Sequence, residues 1–161
     1  MKKMMAMVLV LLALTAATAM ADSYYYDLTS LPENSQQTAE AAAKTHLPQA
    51  TIHYTNLDRD DRRFEWDVFF SKDGALGVCE VDAETGKIIR TKEYTDVPAG
   101  ALTADAAIEA LRKAKGNITI LDLDLDRDDG RLEYEGEAEL DGRFYDFEMT
   151  VEGRIIEWER D

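Results

Sequence analysis

The chain has 161 residues, of which 45% are hydrophobic and 32% charged, and its 33 acidic and 18 basic side chains give a formal charge of −15 at pH 7. This length and composition are typical of a small globular protein. The negative charge repels nucleic acid and anionic membrane surfaces and attracts metal cations and basic protein patches, so we expect no nucleic-acid partner.

The N-terminus predicts a secretory signal peptide. Met1-Lys2-Lys3 precedes an apolar run over 4–14 and the small-residue site Ala19-Met20-Ala21, so residues 1–21 are expected to be removed near Ala21. The run is shorter than the roughly 20 residues of a membrane span, and cleavage leaves Asp22 rather than an anchoring Cys. The remaining 140 residues carry 16 basic and 33 acidic side chains, a charge of −17. We expect a periplasmic or secreted protein without a membrane span.

One stretch of sequence occurs twice. Leu57-Asp58-Arg59-Asp60-Asp61 returns 68 residues later as Leu125-Asp126-Arg127-Asp128-Asp129, and the turns Asp73-Gly74 and Asp141-Gly142 keep the same offset. The chain therefore contains one structural unit in two copies. The predicted boundaries are an N-terminal arm over 22–34, a first unit over 35–94, a linker over 95–101 and a second unit over 102–161.

Each unit is predicted to begin with a helix. In the first unit Ser35 or Thr38 is the candidate cap of an alanine-rich helix that Pro48 ends. In the second, Thr103 is the candidate cap of a helix that continues to about Lys115. Since Thr38 and Thr103 are 65 rather than 68 residues apart, the second helix and its exit are expected to carry three extra residues.

After each helix the hydrophobic period changes to two, which predicts strands. In the second unit, for example, Leu132 and Tyr134 alternate with Glu133 and Glu135. Antiparallel strands that are covered on one side only give this pattern. The predicted fold class is α+β: two tandem repeats, each with one helix packed on an antiparallel sheet of about four strands.

The end of the first unit identifies a family resemblance. Val81-Asp82-Ala83-Glu84-Thr85-Gly86-Lys87-Ile88-Ile89, after a Thr-Ala-acid-Ala-Ala helix and aromatic strands, resembles a PepSY domain, and Met149–Ile156 is a shorter second version. That family occurs in propeptides of thermolysin-like metallopeptidases and in stand-alone bacterial envelope proteins, and is thought to bind or restrain peptidases. The chain has no His-Glu-x-x-His motif, so the resemblance implies a regulator of a separate peptidase.

The residues favour no catalytic chemistry. Nucleophilic catalysis needs a nucleophile, a base and an orienting group, and the second unit contains no Ser, His or Cys. His46 and His53 lack an evident third metal ligand. Cys79 has no disulfide partner in the chain and is expected to be a buried, inert thiol, with a disulfide-linked dimer as the alternative. We predict that the protein is not an enzyme and has no cofactor.

The two acidic hairpins are the alternative site, because aspartate oxygens are ligands that calcium prefers. A helix-loop-helix calcium loop needs Gly at its sixth position, and counting from Asp124 that position is Asp129. A solvated hairpin tip is the simpler explanation, and a weak calcium site remains the alternative. The residues that would form it are Asp58, Asp60, Asp61, Asp126, Asp128 and Asp129.

Binding to a protein partner is the function that the sequence favours. A sheet edge can accept a peptide strand, and an acidic strand face can bind a basic partner. Such a face can also serve solubility alone. The predicted function is regulation or inhibition of an envelope peptidase, with cation binding or sensing as the second candidate and a structural envelope component as the third. The candidate partner-binding residues are Glu65, Asp67, Glu133, Glu135, Glu137 and Glu139.

Overall fold

The computed structural model describes residues 31–60 and 63–161, so the predicted signal peptide and most of the predicted arm lie outside it. The elements follow one another twice in the same order. The first unit has α1 Ser35–His46, β1 Thr51–Asp60, β2 Arg63–Lys72, β3 Ala75–Asp82 and β4 Ile88–Tyr94, and the second has α2 Ala104–Lys115, β5 Thr119–Asp128, β6 Arg131–Leu140, β7 Arg143–Thr150 and β8 Ile155–Arg160.

Each unit is one helix and one four-stranded antiparallel sheet, which confirms the predicted fold class. The strand orders are β1-β2-β3-β4 in the first sheet and β5-β6-β7-β8 in the second. The β2–β3 and β6–β7 hairpins turn at Asp73-Gly74 and Asp141-Gly142, where all four residues have positive φ. That geometry matches the twist of the adjoining strands and favours an Asp-Gly pair. No helix in the described part of the chain is long and apolar enough to cross a membrane.

The start of α1 differs from the prediction. Asn34 is the N-cap residue, Ser35 already belongs to the helix, and the Thr38 hydroxyl donates a hydrogen bond to the Asn34 carbonyl at 2.9 Å. The predicted cap Thr103 of α2 is confirmed. Both helices have 12 residues, so the expected three-residue extension of the second helix is wrong. A Thr one turn inside a helix and a Thr at its cap look alike in sequence.

The helix of the first unit covers one face of its own sheet. Ala39 and Ala43 of α1 are buried against Val68, Phe70 and Cys79, together with Val81. Alanines let the helix approach the sheet closely, so the larger apolar volume comes from the strands. This cluster is small and belongs to the first unit alone.

The opposite face of the first sheet, which we call its outer face, is covered as well. Phe69, Leu76 and Val78 lie in the same apolar cluster as residues of α2 and the second sheet, such as Leu111 and Leu125. In β3 every residue from Ala75 to Val81 is buried. The expectation that each sheet is covered on one side only is therefore wrong for the first sheet, because the second unit packs on it.

Candidate functional site

The outer face of the second sheet, opposite α2, is almost entirely acidic. The strand pairing puts Asp122 of β5 opposite Glu137 of β6, which in turn pairs with Asp146 of β7 and then Glu159 of β8. Alternation repeats this arrangement along each strand. The eleven carboxylates of this acidic face are those of Asp122, Asp124, Asp126, Glu133, Glu135, Glu137, Glu139, Asp146, Glu148, Glu157 and Glu159.

A depression of about 330 Å³ lies in the middle of the acidic face. It forms where β5 bulges between Ile120 and Asp122. A Cβ atom at Gly136 would stand 2.2 Å from the Asp122 carbonyl oxygen, so only glycine fits there. The lining consists of Asp122, Asp124, Glu135, Gly136, Glu137, Asp146, Phe147, Glu148 and Glu157.

The carboxylates of the depression repel one another. Partial burial raises the pKa of Glu135 and Glu137, and the nearby Asp124 and Asp146 respectively raise it further. At Glu157, which is on the open side, the charges of Glu148 and its neighbour Glu159 raise the pKa. Like charges that are held together disfavour the ionised form, and a cation placed among them would relieve the repulsion.

The two units differ at the positions through which the first sheet contacts the second unit. Tyr54, Phe69, Leu76 and Val78 form the apolar half of the first outer face. Residues 68 positions later occupy the same register in the second sheet. They are Asp122, Glu137, Phe144 and Asp146.

Polar contacts complete the packing between the units, which we call the joint. The Asn56 amide donates a hydrogen bond to Asp122 Oδ1 at 2.9 Å. The Tyr94 hydroxyl donates to Asp126 Oδ1 at 2.9 Å and lies 3.2 Å from the Leu125 carbonyl oxygen. An ion pair from Lys92 Nζ to Asp124 Oδ2 at 3.8 Å also crosses the boundary between the units, and Arg127 of the second unit binds Asp96 of the linker at 2.7 Å.

Asp67 lies in the acidic half of the first outer face. It is only 8% exposed, and the strand register places it between Asn56 and Glu80. Within the described residues its carboxyl group forms no hydrogen bond and no ion pair. Burial is the main reason that its pKa is raised to about 8, and the charges of Asp58, Glu80 and other carboxylates add to the effect.

The pKa of Asp122, which lies in the other unit, is shifted in the same direction as that of Asp67. Burial raises its pKa to about 6, with a further contribution from the charge of Asp58, while the hydrogen bond from Asn56 opposes the shift. The joint therefore contains two carboxyl groups whose protonated forms are favoured near neutral pH.

The structure divides the six predicted partner-binding residues into two sets. Glu65 and Glu133 are 3% and 5% exposed and form ion pairs with Arg63 at 2.6 Å and Arg131 at 3.0 Å. With the buried Asp67 they are inaccessible to a partner. The accessible set is Glu135, Glu137 and Glu139.

The predicted calcium residues whose side chains the structure describes do not converge. Asp126 is engaged by the Tyr94 hydroxyl and by the Arg127 amide, whose hydrogen bond contributes most to lowering its pKa. Asp129 takes a left-handed turn conformation, with a φ of 46°. Asp61 and the side chain of Asp60 lie outside the described residues. In the described ranges no three His, Cys, Asp or Glu side chains are placed to hold a metal ion.

His53 and Cys79 have structural surroundings, whereas His46 lies on the surface. His53 Nε2 lies 2.8 Å from Ser71 Oγ, and its Nδ1 lies 3.4 Å from Asp105 of α2. His46 is exposed at the end of α1. Cys79 is fully buried, as predicted, and burial raises the pKa of its thiol.

Three residues of the joint were missed by the sequence analysis, namely Asn56, Asp122 and Lys92. Asn56 is an unusual residue for a buried strand position, and that was the one available signal. Asp122 begins the alternating Asp122-x-Asp124-x-Asp126, which looks the same whether the face is wet or covered. Only the packing of one unit on the other reveals their role.

Comparison with protein families matches both units. The model described as "Peptidase propeptide and YPEB domain", PepSY, matches residues 35–92 and again residues 101–159. The resemblance inferred from Val81–Ile89 is confirmed, and the looser second copy matches as well. No curated protein matches the sequence.

Several solved structures are similar at low identity. A protein from Clostridium difficile 630 that is provisionally described as a lipoprotein is 20% identical, with a TM-score of 0.42 over 78% of this chain and 92% of that one. A BLIP-like protein from Bacteroides fragilis NCTC 9343 is 15% identical, with a TM-score of 0.30 over 77% and 84%. A DUF2874 family protein from Bacteroides uniformis ATCC 8492 is 14% identical, with a TM-score of 0.31 over 76% and 87%.

Proposed function

Because the chain belongs to the PepSY family, we propose that it is an exported, non-enzymatic binding protein that restrains a bacterial envelope peptidase through the acidic face of its second sheet. The observation that carries the proposal is the depression lined by seven carboxylates and no basic residue. Export is supported by the signal-like sequence of residues 1–21.

Charge complementarity identifies the partner's contact surface as basic. Burial and the charges of nearby acids raise the pKa values of Glu135 and Glu137. The charges of Glu148 and Glu159 raise the pKa of Glu157. A lysine or arginine side chain in the depression would relieve that repulsion, and long-range attraction would speed the encounter. Such binding weakens as salt rises, because exposed charges are screened beyond about 8–10 Å at physiological ionic strength.

A peptidase is the partner class that the family favours. The matching family includes peptidase propeptides by its own description, and the present sequence contains no His-Glu-x-x-His motif. The peptidase would therefore be a separate molecule. Strand addition at the free edge β8 is the competing mode, since Ile156 on that edge is 40% exposed and main-chain hydrogen bonds would give the affinity.

A four-residue charge variant tests the proposal. Tagged residues 22–161 are cross-linked in cells of the source organism, and any recovered peptidase is then purified and assayed with the wild type and the variant across salt concentrations. We expect inhibition that is salt-sensitive in the wild type and lost in the variant. The variant replaces Glu135, Glu137, Glu148 and Glu157 by Gln.

The matched control removes the same charge from exposed positions elsewhere. If both variants lose inhibition equally, net charge rather than the depression is responsible. If the depression variant inhibits like the wild type, strand addition is favoured over the acidic face. Recovery of no peptidase would contradict the proposed function itself. The control replaces Glu33, Glu84, Glu93 and Glu109 by Gln, all of which are exposed.

Cation binding is the second candidate function, and the repulsion within the acidic face favours it. Calcium would relieve the same repulsion as a basic side chain. It would stabilise the folded protein by an amount that grows with the logarithm of the calcium concentration above the Kd of the site. We expect millimolar calcium, but not equal ionic strength of sodium chloride, to raise the melting temperature under this hypothesis. An unchanged melting temperature would contradict it.

A further inference from the structure

Two carboxyl groups lie on the two sides of the joint, and neither has an ion pair with a described residue: Asp67 is the register partner of Asn56, and the Asn56 amide bonds Asp122. Asp67 of β2 is 8% exposed, and its carboxyl group forms no hydrogen bond or ion pair with any described residue. Asp122 of β5 accepts one hydrogen bond, from the neutral Asn56 amide. The charge of Asp122 is among those that raise the pKa of Asp67, after burial and the charges of Asp58, Glu80 and Asp124. A buried, unpaired carboxylate is costly, and such groups bind protons instead.

The cations near the joint are engaged by other acids. Arg90 binds Glu80 through bonds of 2.6 to 3.0 Å, and Arg63 binds Glu65. Lys92 lies 3.8 Å from Asp124. The charged groups around the Asp67–Asp122 pair are thus Asp58 on β1, Arg63 and Glu65 on β2, Glu80 on β3, Arg90 and Lys92 on β4, Asp124 on β5 and Glu137 on β6.

We propose that the joint between the two units is a pH-sensitive latch, closed when Asp67 and Asp122 carry protons and loosened when both are ionised. Protons remove the charge of Asp67, which lies beside Asn56 in the strand register, and of Asp122, which accepts the Asn56 hydrogen bond; neither carboxyl has an ion pair among the described residues. Ionisation restores two negative charges in a confined space that already contains Asp58 and Asp124, and the repulsion acts across the boundary between the units.

Loosening is confined to the acidic half of the joint. Phe69, Leu76 and Val78 remain packed in the apolar cluster of the second unit. The apolar half therefore acts as a hinge while the edge strand β5 separates from the first sheet near Asp122, where Asn56 of β1 bonds it. The raised pKa values, about 8 for Asp67 and about 6 for Asp122, place the change between mildly acidic and mildly alkaline pH.

Hydrogen–deuterium exchange of the whole protein tests the latch. Wild type and Asp67→Asn are compared at the same pH, so that the intrinsic pH dependence of exchange cancels. At pH 9 we expect segments 90–97 and 119–126 to exchange faster in the wild type by on the order of 10-fold, the factor that one unit of pKa shift represents. Below pH 4, where Asp67 is protonated whether the joint is closed or open, the two proteins should exchange alike.

Asp122→Asn supplies an independent second variant and should also slow exchange at pH 9. Asp141→Asn is the matched control, because Asp141 is exposed in the β6–β7 turn and its φ of 53° suits Asn. Equal exchange of wild type and Asp67→Asn at pH 9 would overturn the latch. So would faster exchange of Asp67→Asn, or slowing by Asp141→Asn to the same extent.

Discussion

Neighbouring residues on one strand face have opposite surroundings in this protein. Asp67 and Phe69 point to the same side of β2, yet Phe69 joins the apolar cluster while Asp67 is enclosed by carboxylates and an amide. A carboxyl in such a place is favoured in its neutral form. Protonation therefore couples to folding as well as to the joint.

The stability of the protein should fall as pH rises through the range set by Asp67. Its folded pKa of about 8 exceeds the unfolded value near 4, so the stabilisation is complete below pH 4 and is lost as pH approaches 8. One pKa unit is about 1.4 kcal/mol, and 1 kcal/mol moves the melting temperature of a chain this size by about 2–4 °C. We expect Asp67→Asn to melt at least ~3 °C higher at pH 8, with no gain at pH 4, by calorimetry.

Glu80 is a buried carboxylate of the opposite kind, because Arg90 binds it. Arg90→Ala would leave Glu80, 7% exposed, without its cation. Removal of one partner of a buried pair costs about 3–5 kcal/mol, and partial exposure of Arg90 puts our expectation near ~2 kcal/mol by urea unfolding at pH 7. Glu109→Gln breaks an exposed ion pair with Arg112 and should cost less than ~1 kcal/mol. Equal losses would contradict the burial argument.

At the scale of elements, the bulge in β5 shapes the depression. A Cβ at Gly136 would meet backbone atoms of Asp122 and Leu123 rather than a flexible side chain. We expect Gly136→Ala to lower the free energy of unfolding by about 1–3 kcal/mol, as overpacking does. Gly142→Asn, at a φ of 73° with open space around it, should stay within ~0.5 kcal/mol. Chemical denaturation measures the free energy of unfolding of both variants. An unchanged value for Gly136→Ala would show that the bulge rearranges to accommodate the methyl group.

The elements were predictable because their signals are local. Alternation from Leu132 to Leu140 and the Asp-Gly turns identified the strands and hairpins, and the repeat supported each assignment twice. The helix start at Asn34 was not predictable, because Asn34, Ser35 and Thr38 are all residue types that cap helices. The strand faces were assigned correctly, but alternation does not reveal what covers the polar face.

At the scale of the molecule, one apolar cluster joins the units. Leu111 of α2 is 1% exposed, and its cluster includes Val78 of the first sheet. We expect a single calorimetric unfolding transition, with Leu111→Ala lowering the stability of both units together by about 2–5 kcal/mol. Lys113→Ala on the exposed side of α2 should change little. Two resolved transitions would contradict this expectation.

The candidate site was predictable in part. The repeating glutamates of β6 indicated an acidic face, and Glu135, Glu137 and Glu139 are accessible there. Burial of Glu65 and Asp67 was not predictable, because their pattern matches that of β6 and depends on docking of the second unit. Long-range packing of this kind leaves no periodic signal in a single sequence.

The docking of the two units is head-to-tail, and this has a consequence for polymerisation. The first outer face receives a unit, so an equivalent second face that remained apolar would receive a unit of another molecule, and such heterologous contacts do not close. Asp122, Glu137 and Asp146 stand where Tyr54, Phe69 and Val78 make the internal contact. The triple variant Asp122→Tyr, Glu137→Phe and Asp146→Val should self-associate with rising concentration in sedimentation velocity, whereas the wild type should not. We therefore expect the acids at these positions to limit head-to-tail docking to the two units of one molecule and so to prevent fibre growth.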